Sequence, residues 1–86
     1  MTTPNSMQYY VIVAGQRSRA ASGLARRRYV ESGPVDETLR QDLTWRPDSA
    51  IVEWEYGDLG AELIRVSEQE AENLVQAFRA RWEGRY

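Results

Sequence analysis

The chain contains neither cysteine nor histidine among its 86 residues, and this double absence constrains its fold more than any motif does. No disulfide can staple it, and no thiolate–imidazole zinc site can organise it. One small domain must therefore hold itself together by hydrophobic burial. A globule of this length buries roughly 64% of its unfolded surface, enough for one modest core. The 42% hydrophobic and 28% charged residues suit an ordinary soluble fold and are too apolar for a disordered chain. The same absences remove chemistry. Cysteine nucleophiles, imidazole bases and the common acyl-transfer triads are excluded. Lysine is missing too, so all eleven basic residues are arginine and Schiff-base chemistry is excluded. Arginine supplies planar, bidentate donors for phosphate or carboxylate; codon preference in a high-GC genome accounts for the same bias.

Periodicity supplies the elements. Residues 1–7 are polar, contain Pro4 and read as a flexible tail. Gln8–Ala14 is rich in aromatic and β-branched residues, a strand. Its two alternating sets, Tyr9/Val11/Val13 and Tyr10/Ile12/Ala14, are both apolar, as in a central strand covered on both faces. Gly15–Gly23 reads as a loop, and Leu24–Val30 as a second strand with Arg26 and Arg28 on one face and Arg27 on the other. Ser32-Gly33-Pro34 marks a turn. Asp36 then caps an expected short helix over Glu37–Leu43, with Leu39 and Leu43 one turn apart. Asp48–Tyr56 admits two readings. Asp48 or Ser49 can cap a helix that stops at Gly57; the alternation of Val52, Trp54 and Tyr56 also suits a strand. The helix is the favoured reading, and the strand stays open. Ala61–Val66 is a strand either way. Ser67 and Glu70 form a capping box, and Ala71, Leu74, Val75, Phe78 and Trp82 make one apolar helical stripe, best explained as core.

The expected fold is therefore α+β: residues 8–86 as a single domain, with a small antiparallel sheet of about three strands. Helices pack on one face, and a long amphipathic helix closes the chain.

Charge is segregated along this framework. Residues 1–30 carry five arginines and no acid; residues 31–86 carry six arginines and thirteen acids. The two segments balance at +5 and −7, which the net charge of −2 conceals. Arg17, Arg19, Arg26, Arg27 and Arg28 thus form a candidate partner-binding or anion-binding hairpin. The structural explanation is that this segment folds against its own acidic half, or against a neighbour's.

No catalytic, metal or cofactor site is expected. Glu53 and Glu55 share a face only on a strand, and nothing else completes an acid/base or cation site around them. Gly15–Arg19 follows a strand as phosphate-binding loops do, but lacks the second glycine, the lysine and a following helix. Tyrosines beside arginines would suit stacking on single-stranded nucleic acid, although no RNA-binding motif accompanies them. No apolar run approaches the roughly 18 residues of a membrane span, and the first residues lack a secretory pattern. The absence of cysteine fits the cytoplasm.

The runs Y-Y-V-I-V, S-G-L-A-R-R, D-L-T-W-R-P-D-S and V-S-E-Q-E-A, spread over residues 9–75, resemble those of small uncharacterised actinobacterial proteins. The resemblance implies no activity, cofactor or site, and it favours the helix over Asp48–Tyr56. The expected function is non-catalytic: an interaction module that binds another protein or its own copy. The first alternative is nucleic-acid binding through the arginine hairpin. The second is an anion-binding protein or enzyme that uses the arginines as clamps and Glu53/Glu55 as acids.

Overall fold

The computed structural model describes residues 7–14 and 21–83. Their elements run β1 (Met7–Ala14), β2 (Ala21–Val30), β3 (Gly33–Leu39), β4 (Trp45–Pro47), α1 (Ala50–Glu55), β5 (Ala61–Val66) and α2 (Glu68–Glu83). The strands form one five-stranded sheet in the order β4-β3-β2-β1-β5, with every neighbouring pair antiparallel. The fold is α+β as expected, but with five strands rather than about three. Met7 belongs to β1 instead of the tail; residues 1–6 lie outside the described part.

The largest departure is β3, which replaces the expected Glu37–Leu43 helix. Local spacing of Leu39 and Leu43 favoured a helix. Pairing with β2 overrides it, because it sets Glu37 opposite Arg26 and Asp36 opposite Arg27. The β2–β3 connection is a two-residue turn at Glu31-Ser32, closed by the Val30–Gly33 pair, where Gly33 has a φ of 120° that favours glycine. β4 adds three residues at the far edge and pairs Trp45 with Leu39.

Asp48–Tyr56 resolves to a helix. The Ala50 N–H donates to Asp48 Oδ1 at 2.7 Å. At the other end Gly57 takes a φ of 79°. The Asp58 N–H then reaches the Glu53 carbonyl at 2.8 Å and the Gly57 N–H reaches the Trp54 carbonyl at 3.0 Å. This pair of bonds is a Schellman motif, which occupies carbonyls that the helix end would otherwise leave unpaired. The capping box of α2 forms as read: the Glu70 N–H donates to Ser67 Oγ at 3.1 Å, and the Ser67 N–H to Glu70 Oε1 at 3.4 Å.

The helices do not share a face, contrary to the expectation. Val11, Val13, Leu24 and Leu39 pack with Phe78 of α2. Tyr10, Ala25 and Leu63 pack with Ile51 of α1. Leu24 and Ala25 are sequence neighbours, so they point to opposite faces of β2, and both are 0% exposed. A sheet apolar on both sides needs a cover on each, and one helix cannot supply both. Arg81 fastens the end of α2 by donating to the Ala21 carbonyl at 3.2 Å. The chain leaves β4 at one edge and returns as β5 at the other, with α1 packed on β2, β3 and β5 along the way.

Candidate functional site

Antiparallel register decides the surroundings of the β2 arginines. Arg26 and Arg28 lie on the α2 face and converge on Glu37. Arg26 Nε reaches Glu37 Oε1 at 2.8 Å and Arg28 Nε reaches the same oxygen at 3.1 Å. The Arg26 guanidinium also stacks 4.2 Å from the Trp45 ring centroid, and Trp45 meets Tyr9 edge-on at 6.3 Å. This cation–π contact occupies one flat face of the Arg26 guanidinium.

Arg27 lies on the opposite face and is gripped from two sides. It donates to Asp36 through Nε at 2.7 Å and Nη2 at 3.0 Å, and to Glu55 through Nη1 and Nη2, each at 3.0 Å. Two bidentate forks from one guanidinium use four of its five N–H donors. They also tie α1 to the sheet.

The titration behaviour follows from these contacts. The hydrogen bonds to Asp36 and then Glu55 raise the pKa of Arg27 above its ordinary value. Burial pushes the Glu37 carboxyl up, but hydrogen bonds and charge from Arg26 and Arg28 outweigh it and hold Glu37 below the usual glutamate range. The Arg27 hydrogen bonds lower Glu55 in the same direction. No buried side-chain nitrogen or oxygen among the described residues lacks a partner.

Arg26, Arg27 and Arg28 are thus brought together with three carboxylates of the same chain, Asp36, Glu37 and Glu55. The local charge cancels. Arg28 is the most open of the three, with its side chain 36% exposed. Arg17 and Arg19 lie outside the described residues. Glu53 and Glu55 sit on a helix rather than a strand and do not converge; Glu53 accepts from the Ser49 hydroxyl and Glu55 holds Arg27. Among the described residues no group of three or more acidic side chains could hold a metal ion. None of their helices is long and apolar enough to cross a membrane.

Exposed apolar side chains are the feature that pattern reading missed. Val52 is 38%, Trp54 37% and Tyr56 78% exposed around α1, and Ile64 is 45% exposed on β5. Trp54 covers part of Tyr10, with ring centroids 5.8 Å apart. The signal was available: apolar residues at every second position cannot all face inward on a helix. Only Ala50 and Ile51 of α1 are buried.

Comparison of the chain with protein-family models, with curated proteins and with solved structures finds no match.

Proposed function

We propose that this chain is a non-catalytic protein–protein interaction module acting in the cytoplasm. The observation that carries the reading is a contrast in how its side chains are used. Arg26, Arg27 and Arg28, the candidate anion-binding arginines among the described residues, are paired with Asp36, Glu37 and Glu55. Meanwhile Val52, Trp54, Tyr56 and Ile64 remain open to solvent. Aromatic and aliphatic anchors of this kind dominate the energetics of protein interfaces. Arg27, held by Asp36 and Glu55 through all three of its nitrogens, would have to break those pairs before it could hold phosphate.

The test is fluorescence anisotropy of labelled duplex and single-stranded DNA with the full chain, at low and at physiological salt. The expected result is no binding at either. Binding that weakens with the slope of several released counterions would overturn the reading in favour of a nucleic-acid interface.

A further inference from the structure

The two edges of the sheet are unequal. β4 is three residues long and ends in Pro47, so it offers little to a pairing strand. β5 closes the other edge with six residues, AELIRV. It has no proline and no bulge, and one side of it pairs with β1 throughout. Its outer side meets no strand among the described residues. An edge of this length carries unpaired backbone donors and acceptors and is a template for a further strand.

From this geometry we infer that β5 pairs antiparallel with the β5 of a second copy, joining two sheets across a two-fold axis through Ile64. The inference rests on the interaction-module reading and names its partner. Two-fold pairing of identical edges keeps each face of the joined sheet on its own side. Residues that face each other must then have the same parity in the sequence. Two centres within Ala61–Val66 use the strand most fully, Leu63 and Ile64. The Leu63 centre sets Ile64 opposite Glu62 of the other copy, an apolar group against a charge. The Ile64 centre sets Ile64 against Ile64, Glu62 against Val66 and Leu63 against Arg65. β-Branched side chains directly opposite stabilise such pairs, and Leu63, buried beneath α1, keeps its contacts within its own copy.

Charge also permits a second copy. β5 carries one acid, Glu62, and one base, Arg65, and is neutral. The Ile64 register places no like charges directly opposite. The two Arg65 side chains stand diagonally, roughly 7–8 Å apart, where solvent screens exposed charges. Ile64 shares the α2 face with its neighbour Val11, yet it is 45% exposed at the rim. Pairing would cover it.

Sedimentation of the full chain from micromolar to submillimolar concentration tests the proposal. A reversible dimer is expected. Ile64→Lys sets two ammonium groups against each other at the axis and should weaken association by at least about tenfold, with far-UV circular dichroism unchanged. A second variant decides the matter even if that one misfolds. The natural chain has no cysteine, so Ile64→Cys introduces a single thiol. Cross-strand partners lie roughly 4.5–5.5 Å apart between Cα atoms, within disulfide reach. Mild oxidation should therefore link Ile64→Cys into a covalent dimer and leave a Val52→Cys control monomeric. A wild-type chain that stays monomeric throughout overturns the proposal. So does a dimer that Ile64→Lys leaves intact and Ile64→Cys does not link, although that result leaves the interaction-module reading standing. DNA binding would sink that reading independently.

Discussion

Arg27 and Arg28 are adjacent arginines with different consequences. The Arg27 side chain is 12% exposed and Asp36 is 11% exposed, so the pair is held away from water. Removing one member strands a desolvated charge, a loss of roughly 3 kcal/mol in comparable sites. Arg27→Ala should cost about that much in urea denaturation. Arg28 is more open and shares its carboxylate with Arg26, so Arg28→Ala should cost less than about 1 kcal/mol. Equal losses from the two would refute the assignment of Arg27 as the tie between α1 and the sheet. Glu37 makes the acid limb of stability readable. Its pKa is lowered in the folded chain, below an ordinary value of about 4.5. Its contribution is therefore complete above that value and is lost as pH falls through the depressed one. Glu37→Gln should be less stable than wild type at neutral pH, with the difference shrinking below pH ~4. A difference that grew on acidification would contradict this sign.

At the scale of elements, the two helices are terminated by different devices. α1 has only six residues, too few to persist without packing or caps. Its Schellman end requires Gly57 at a φ of 79°. A Cβ there would meet nothing within 4 Å, so Gly57→Ala tests backbone strain without a clash. Thermal unfolding should show a loss of about 1 kcal/mol; a neutral result would mean that the turn relaxes. α2 begins on a side-chain device instead. Ser67→Ala removes the acceptor of the Glu70 N–H and should also cost about 1 kcal/mol. The strand β3 has no comparable local device. Its P-V-D-E-T-L run satisfies a helical cap and spacing as well as an alternation, and pairing on both sides, with β2 and with β4, selects the strand.

For the molecule as a whole, the sheet is a middle layer with a small core on each side. Phe78 and Ile51 are the centres, each 1% exposed, and Phe78 is backed by Trp82 stacked at 4.8 Å. Phe78→Ala should cost roughly 3–5 kcal/mol and Ile51→Ala roughly 2–5 kcal/mol. β2 contributes Leu24 to one core and Ala25 to the other, so neither core can be lost without disturbing the shared strand. Unfolding should therefore be a single transition, with tryptophan fluorescence and far-UV circular dichroism coinciding in wild type and in both variants. Separate transitions would show that the two layers are independent.

The elements legible in the sequence were those defined within a few residues. The aromatic and β-branched run of β1, the Ser67/Glu70 capping box and the stop at Gly57 each depend on neighbours along the chain. The two-sided apolar pattern of Tyr9–Ala14 even implied cover on both faces, an implication that the expected one-sided packing of helices did not follow through. Segregated charge likewise raised the folding of the basic segment onto its own acids as one of two explanations. What tertiary structure decided was pairing. Arg26 and Glu37 are 11 residues apart, and Arg27 and Glu55 are 28 apart. No local periodicity encodes such contacts, because register is set by which strands meet and which faces they bury. The same cause turned Glu37–Leu39 into strand, placed α1 and α2 on opposite faces, and converted a run of arginines from an open cationic patch into internal ties.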